Sequence, residues 1–249
     1  MTLPFRLDGK VALITGASRG LGAGIADAFR DLGATVVGTS RDSSSAKEIA
    51  DRLESIPITM DVSEVASIQA GVDEVVSELG CLDILVNNAG INIPQGLFEI
   101  DEASWDAVID TNLKGTIFAT QAAARHMVEH GEEGRIINVA SQAGVVGIED
   151  RSAYGSSKGG VIVLTKVLAL ELAQYGITVN AVAPTFVATE MGRDTLADPE
   201  WRERILSRIP LGRVAEVEEV AAATAYLASP AAAMVTGHTL LVDGGWTAW

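Results

Sequence analysis

The chain has 249 residues, 48% apolar and 20% charged, a balance that can bury a sizeable core. Its net charge of −15 disfavours nucleic acids and anionic membranes as partners, because both favour basic surfaces. Cys81 is the only cysteine, so we expect a reducing compartment, the cytoplasm. The first ten residues resemble no secretion signal, and the most apolar helical run, 159–176, is interrupted by Lys166 and Glu171 short of membrane length.

Short β-rich runs alternate with segments of helical periodicity along the first part of the chain. Gly33 is expected to be the C-cap of the first helix, and the serines at 43–45 are expected to cap the second. Apolar residues then recur at helical spacing between Val65 and Leu79. The predicted elements are strand 11–15, helix 22–33, strand 35–39, helix 43–55, strand 56–62, helix 65–80, and a strand running into a turn at 83–90.

The alternation continues almost to the end of the chain. The predicted elements are helix 102–130, strand 135–141, helix 152–175, strand 178–183, an irregular segment 185–210, helix 216–229 and strand 239–245. Strands alternating with helices of this length imply right-handed crossovers and a parallel sheet covered on both faces. We therefore predict one doubly wound, Rossmann-type α/β domain over residues 1–249, with about seven strands and a substrate-loop region at about 185–210.

A glycine-rich turn, TGASRGLG at 15–22, joins the first strand to the first helix. Glycines at such a turn let the backbone approach a pyrophosphate, and the following helix N-terminus supplies N–H donors. The glycine spacing alone would also fit an ordinary turn, but its place between strand and helix favours a dinucleotide site. The predicted cofactor contacts here are Gly16, Ser18, Arg19, Gly20, Leu21 and Gly22.

The residues at the end of the second predicted strand indicate which dinucleotide binds. An acidic residue there would hold a ribose hydroxyl and indicate NAD, but this strand ends in Ser40 and Arg41. Arg41 and Arg19 can pair with a 2′-phosphate, although Arg41 would also fit a solvated surface position. Asp42 lies one residue beyond the position that would contact the ribose, unless the loop conformation returns it to that position. We expect NADP(H) as the preferred cofactor, with NAD(H) as the alternative.

Ordered motifs across nearly the whole chain resemble the short-chain dehydrogenase/reductase family. They are TGASRGLG (15–22), DV (61–62), NNAG (87–90), Asn112 in DTNLKG, Ser141 in NVASQAG, YGSSK (154–158), PTFVATEM (184–191) and VDGG (242–245). The resemblance implies that Asp61 and Val62 flank the adenine and that Pro184, Val187 and Thr189 contact the nicotinamide end. It also places Asn88, Ala89 and Gly90 along the cofactor.

One position departs from the family pattern. Thr185 stands where the family usually has glycine, and a β-branched residue is costly at positive φ. We therefore expect the loop carrying Pro184 to Thr189 to be shaped differently from the family loop.

Reduction of a ketone needs a hydride on carbon and a proton on oxygen. Tyr154 and Lys158 lie four residues apart, so they share one helix face, and the ammonium can lower the pKa of the phenol. Tyr154 is then the general acid or base, and Lys158 also binds the nicotinamide ribose. Ser141, at the carboxyl end of a strand, can orient the substrate oxygen. The resemblance implies that Asn112 holds a proton-relay water.

Each of these residues also has an ordinary structural interpretation. Ser141 could cap a turn, Asn112 could be a surface amide and Lys158 could solvate its helix, but their joint order favours catalysis. The charged residues Glu149, Asp150 and Arg151 are expected in a solvated loop. Trp105 and Trp201 are expected to pack, and His126, His130 and His238 lack metal-ligand spacing, so we predict no catalytic metal.

These observations predict an oxidoreductase that interconverts a secondary alcohol and a ketone. The preferred substrate is a small polar molecule such as a sugar, polyol or sugar acid, and the alternative is a 3-oxoacyl thioester on carrier protein. A non-catalytic NADP-binding sensor or scaffold is the alternative of another class. The loops at 91–98 and 142–151 and the segment 185–210 are expected to line the pocket. The resemblance also implies a homotetramer assembled through the two long helices.

Overall fold

Seven short apolar runs pair as strands in the computed structural model, which describes residues 5–131, 133–189 and 197–248. Every pairing is parallel, and the order across the sheet is β3-β2-β1-β4-β5-β6-β7. The chain winds outward from β1 in both directions, which confirms the doubly wound Rossmann-type prediction. The strands are β1 (Val11–Ile14), β2 (Thr35–Ser40), β3 (Ile58–Thr59), β4 (Ile84–Asn87), β5 (Arg135–Val139), β6 (Thr178–Pro184) and β7 (Thr239–Val242).

Helices cover both faces of the sheet because successive strand side chains point in opposite directions. Ala12 and Ile14 pack into one apolar cluster, whereas Leu13 between them packs into the other. The described α-helices are α1 (Gly20–Asp31), α2 (Ser43–Leu53), α3 (Val65–Leu79), α4 (Glu102–Ile109), α5 (Gly115–His130), α6 (Ser152–Leu172), α7 (Pro199–Leu206) and α8 (Val217–Ala228). Among the described helices, none has both the length and the apolar character needed to cross a bilayer.

Two predicted helix caps are wrong by one position. The N-cap of α2 is Asp42, whose carboxylate accepts hydrogen bonds from the backbone N–H of Ser45 and the hydroxyl of Ser44. At the end of α1 the C-cap is Leu32, and Gly33 follows at φ +98, in the region that favours glycine. The Asp42 carboxylate therefore serves as the N-cap of α2.

The predicted long helix over 102–130 is interrupted. A π-helical turn, Asp110–Lys114, separates α4 from α5. Such turns insert one extra residue into a helix and are common at functional sites. The predicted helix 152–175 ends as α6 followed by a 3₁₀ turn, Ala173–Tyr175.

The segment predicted as irregular contains α7. Asp198 caps this helix by accepting from the N–H of Glu200 at 2.9 Å, and Pro199 occupies its first turn. Ile205 and Ile209 pack with Trp246 near the C-terminus. Residues 190–196 of the predicted substrate-loop region lie outside the described residues.

Candidate active site

Two adjoining cavities open along the carboxyl ends of the central strands, where open α/β sheets bind ligands. They have volumes of about 630 Å³ and 280 Å³ and share Leu21, Asn88, Gly90, Ile91 and Thr189 in their linings. The predicted residues that line the larger cavity are Gly16, Ser18, Arg19, Gly20, Leu21, Gly22, Ser40, Arg41, Val62, Asn88, Ala89, Gly90 and Thr189. Those that line the smaller one are Leu21, Asn88, Gly90, Ser141, Tyr154, Lys158, Pro184, Val187 and Thr189.

The glycine turn is held in shape by polar side chains. Asn88 donates from its amide nitrogen to the carbonyl oxygens of Thr15 at 2.9 Å and Gly16 at 3.0 Å. The Thr15 hydroxyl accepts from the N–H of Asn88 and of Ala89, both at 3.0 Å. A Cβ on Gly22 would overlap the Gly16 carbonyl oxygen, so this position requires glycine.

The N-terminus of α1 forms one side of the larger cavity. Arg19 is its N-cap residue and makes no capping hydrogen bond with its side chain to the described residues, so the first-turn N–H groups lack that partner. Gly20 has φ +59, and among the described residues a Cβ there would meet only the Thr189 side chain, at 3.5 Å or more. Free amide donors, a floor without side chains and two cationic residues, Arg19 and Arg41, fit the phosphates of a dinucleotide.

Asp61 lies beside the larger cavity but does not line it. Its carboxylate accepts from the N–H of Ser63 at 3.0 Å and from the Ser63 hydroxyl at 2.7 Å. Burial opposes the charged form, but these hydrogen bonds and the charge of Arg41 lower the pKa of Asp61. Met60 provides the cavity surface at this point, so the adenine contact of Asp61 stays a prediction.

Tyr154 and Lys158 lie one turn apart on α6 and both line the smaller cavity. The Lys158 ammonium is 5.8 Å from the Tyr154 ring centroid and donates to the carbonyl oxygen of Val139 at 2.7 Å. Lys158 is 4% exposed, and burial lowers its pKa to about 8. Burial raises the pKa of the half-buried Tyr154, opposed by a hydrogen bond with Ser141 and by the charge of Arg151.

Ser141 follows β5, where it caps a turn and also lies beside Tyr154, the proposed proton donor. Its hydroxyl oxygen caps a 3₁₀ turn by accepting from the N–H of Ala143 at 3.1 Å. It also donates to the side-chain oxygen of Gln142 at 2.7 Å and lies within hydrogen-bonding range of Tyr154. The cap fixes the hydroxyl next to the phenol.

Asn112 lies in the π-helical turn and is 1% exposed, so the surface-amide alternative is wrong. Its side chain accepts from the Ile91 N–H at 2.8 Å and donates to the Ile91 carbonyl at 2.9 Å. It also donates to the Ser157 hydroxyl at 3.0 Å. Asn112 lines neither cavity and instead joins the loop after β4 to α6.

Arg151 ends the loop 142–151, which is predicted to line the pocket, and its side chain does so, whereas the solvated position expected for this residue is wrong. Its half-buried side chain lines the smaller cavity, whereas Glu149 is exposed and pairs with Arg204 of α7. Arg151 is the N-cap residue of α6, three positions before Tyr154, and this helical spacing is the signal that the sequence offered. The loops predicted to line the pocket contribute Ile91, Asn92, Gln142, Ala143, Ile148, Thr185 and Phe186 to the cavities. The lining residues outside every predicted residue and loop are Met60, Thr111, Val139 and Ala140.

Thr185 avoids the positive φ that is costly for a β-branched residue, and the different shape expected for its loop stays a prediction. Among the described residues other than glycine, only Glu54 and Asp150 have positive φ. The Thr185 N–H donates to the Val242 carbonyl at 3.2 Å, and its buried hydroxyl has no partner among the described residues. A β-branched residue is therefore accommodated here without backbone strain.

Comparison with known proteins identifies relatives over nearly the full chain. Residues 16–247 match a family model described as enoyl-(acyl carrier protein) reductase. The chain is 42% identical to D-threitol dehydrogenase of Mycolicibacterium smegmatis, over 98% of this chain and 95% of that protein. It is also 42% identical to a 3-oxoacyl-[acyl-carrier-protein] reductase of Vibrio cholerae, over 96% and 98%.

Solved structures of similar proteins indicate the same relationship. A gluconate 5-dehydrogenase from Burkholderia cenocepacia, in complex with NADP and tartrate, superposes with a TM-score of 0.94 at 38% identity, over 99% of this chain and 98% of that one. A short-chain type dehydrogenase/reductase from Mycobacterium marinum has a TM-score of 0.92 at 38% identity, over 98% and 97%. The chain therefore belongs to the short-chain dehydrogenase/reductase family, oxidoreductases that act on alcohol and ketone groups.

Proposed function

We propose that the chain interconverts a secondary alcohol and a ketone on a small polar substrate, a sugar, polyol or sugar acid. NADP(H) is the preferred cofactor, with NAD(H) as the alternative. The observation that carries this proposal is the meeting of Ser141, Tyr154 and Lys158 in one cavity that adjoins the glycine turn. A non-catalytic binding protein would need no proton donor beside its nucleotide site.

A bound nicotinamide would supply the hydride in reduction and take it up in oxidation. Tyr154 donates its phenolic proton to the carbonyl oxygen in reduction and accepts the hydroxyl proton in oxidation. Ser141 holds the same oxygen by a hydrogen bond. Lys158 places a positive charge near the phenolate and binds the nicotinamide ribose. Each turnover thus moves one hydride and one proton.

Asn112 contributes by holding other parts of the site. Its amide bonds both backbone groups of Ile91, which lines both cavities, and reaches α6 through Ser157. We propose that it fixes the distance between the loop after β4 and the catalytic helix. The proton-relay water that the resemblance implies stays a prediction.

Arg19 and Arg41 support the preference for NADP(H). Both line the larger cavity at the end of β2 and the start of α1, where a 2′-phosphate would lie. The NADP complex of the Burkholderia cenocepacia relative supports the same choice. Arg41→Ala is expected to weaken NADPH binding about 10- to 100-fold and NADH binding much less, because a charge-assisted hydrogen bond is lost.

Titration of both cofactors by fluorescence measures this difference. The matched control is Arg30→Ala, an exposed arginine at the far end of α1. Equal weakening of NADPH and NADH by Arg41→Ala would overturn the cofactor preference.

The names of the relatives support a sugar-related substrate. D-Threitol dehydrogenase and a 2-dehydro-3-deoxy-D-gluconate 5-dehydrogenase of Dickeya dadantii, 38% identical, act on polyhydroxylated molecules. A screen that follows NADP⁺ reduction with polyols and aldonates, and NADPH oxidation with ketoses and keto acids, tests the proposal. No turnover of any of these substrates would refute it.

Reduction of a 3-oxoacyl thioester is the second candidate, favoured by the 42% identity to the Vibrio cholerae reductase. Such a thioester is carried by an acidic protein, and the net charge of −15 opposes its docking. The same screen includes a 3-oxoacyl thioester. Faster turnover of the thioester than of every sugar-related substrate would favour this candidate.

A cytoplasmic homotetramer completes the proposal. The location rests on the single cysteine. The assembly is supported by an apolar row on α6, where Val163, Val167 and Leu170 are exposed on one helix face. An unpaired apolar row of this kind is typical of an interface between subunits.

A further inference from the structure

Arg151 is held rigidly at the entrance of α6. Its backbone forms a parallel bridge with Gln95, and its carbonyl accepts from the N–H of Gly155 at 2.6 Å. One guanidinium nitrogen donates to the Asp150 carbonyl oxygen at 3.0 Å. Arg151 is thus presented to the smaller cavity by a fixed backbone rather than by a free loop.

The charge of Arg151 is not neutralised by a direct ion pair. Its guanidinium has no carboxylate within 4.0 Å among the described residues, although Asp150 is its sequence neighbour. Glu149, the other nearby acid, pairs instead with Arg204. A half-buried guanidinium without a carboxylate partner is favourable only where water or a ligand completes its hydrogen bonds.

The lining of the smaller cavity is cationic in an acidic protein. Arg151 and Lys158 are its charged lining residues among the described part of the chain, and no acidic residue lines it there. The whole chain carries a net charge of −15. The first turn of α6 also has no acidic residue, so the positive end of the helix dipole adds to the same potential.

Arg19 and Arg41 account for the nucleotide phosphates, and both line the other cavity. Lys158 is occupied by the Val139 carbonyl and acts on Tyr154. Of these four cationic residues, Arg151 is therefore the one that remains available to bind the substrate. It lies one helical turn from the proton donor, on the cavity side, so it can reach a group carried on the same small molecule.

We infer that the substrate carries a carboxylate that pairs with Arg151, and that Arg151 selects sugar acids over neutral sugars and polyols. This inference rests on the proposed function and narrows it. A guanidinium binds a carboxylate through two parallel hydrogen bonds, which fixes the orientation of the substrate as well as its charge. The secondary alcohol would then be held between that anchor and Tyr154.

The test compares acid and neutral substrates that differ at one carbon. The pairs are D-gluconate with D-glucitol and D-threonate with D-threitol, and kcat/KM is measured with saturating NADP⁺. The wild type is expected to prefer the acid of at least one pair. Arg151→Gln is expected to reduce the acid-to-neutral ratio of kcat/KM about 10- to 100-fold, because a charged hydrogen-bonded pair is lost.

Two further variants separate the substrate contact from other effects. Arg151→Lys keeps the charge and is expected to retain part of the preference, whereas Arg30→Gln removes an exposed arginine on α1 and is expected to leave the ratio unchanged. Because the charge of Arg151 also acts on Tyr154, Arg151→Gln lowers turnover of both substrates. Because this loss affects both substrates, it cancels in the acid-to-neutral ratio of kcat/KM.

A binding measurement keeps this inference separate from the proposed function. Calorimetry of gluconate and glucitol is carried out on the NADP⁺ complex of Tyr154→Phe, in which turnover is blocked. Tighter gluconate binding that is lost in Tyr154→Phe/Arg151→Gln supports the inference even if the wild type oxidises neither compound. Equal binding of both, preference for the neutral partner, or preference for glucitol 6-phosphate over gluconate would overturn it.

Discussion

Burial shifts the pKa values of Tyr154 and Lys158, the two proposed catalytic residues of α6, in opposite directions. It raises the pKa of Tyr154 and lowers that of Lys158 to about 8, so both shifts favour the uncharged forms. The charge that would stabilise a Tyr154 phenolate is thus costly to keep in the folded protein. The hydrogen bond from Lys158 to the Val139 carbonyl offsets part of that cost.

Replacing Tyr154 tests the proton transfer directly. Tyr154→Phe is expected to lower kcat about 10²- to 10⁴-fold while NADPH still binds, because only the acid-base group is removed. Turnover and cofactor fluorescence measure the two quantities separately. The control is Tyr175→Phe, an exposed tyrosine just beyond the same helix. Unchanged turnover in Tyr154→Phe would show that another group transfers the proton.

The lowered pKa of Lys158 predicts a pH-dependent stability. Below pH 8 the lysine is charged in both the folded and unfolded states, and its burial costs folding free energy. Between about pH 8 and 10.5 the folded state has released a proton that the unfolded state retains, so the wild type becomes more stable as pH rises. Lys158→Met removes this dependence.

Urea unfolding at pH 7 and pH 10 measures the effect. The free energy of unfolding of Lys158→Met, relative to wild type, is expected to fall by roughly 2 to 3 kcal/mol between these pH values. Lys166→Met, an exposed lysine on the same helix, serves as the control. A relative stability that does not change with pH would mean that Lys158 keeps its ordinary pKa.

Among the elements, the π-helical turn Asp110–Lys114 has the clearest structural purpose. It directs Asn112 inward between Ile91 and Ser157. Asn112→Ala leaves both backbone groups of Ile91 without their partner, and we expect a loss of about 2 to 4 kcal/mol in the free energy of unfolding. Ser157→Ala keeps the two Ile91 bonds and should cost clearly less in the same urea titration. Similar losses in both variants would contradict this account.

The alternation of apolar runs predicted every strand of the sheet, because a buried parallel strand reads as a short continuous apolar run. The same patterns missed α7, because half of its residues, Pro199–Leu206, are charged and its cap, Asp198, is a weak signal alone. The π-helical turn was also missed, because one inserted residue barely disturbs helical periodicity. Hydrophobic pattern thus predicts elements well and local irregularities poorly.

The predicted catalytic residues came from ordered motifs, and the structure brings Ser141, Tyr154 and Lys158 into one cavity. Arg151 was misjudged because a charged run, Glu149 to Arg151, usually marks solvated surface. Its orientation depends on the bridge with Gln95, a contact distant in sequence. The spacing of three residues between Arg151 and Tyr154 indicates a shared helix face, but no local pattern indicates the contact with Gln95.

At the scale of the whole molecule, the exposed row on α6 predicts how copies assemble. Leu170 is 82% exposed, and a charge at this position would be buried unpaired in a subunit interface. Leu170→Glu is expected to convert a tetramer into smaller species in sedimentation experiments. Gln174→Glu adds the same charge in the exposed 3₁₀ turn that follows this helix and is expected to leave the assembly unchanged. A wild type that sediments as a monomer would refute the proposed assembly.

The ties between Thr15, Asn88 and the glycine turn have a consequence for how the nucleotide is received. These hydrogen bonds link the loops after β1 and β4 within the protein itself. Because the protein's own groups hold the turn, we expect little backbone entropy to be lost when a nucleotide binds. Asn88 holds these two loops together. Its removal is therefore expected to slow cofactor binding, because the loop would have to become ordered each time a nucleotide binds.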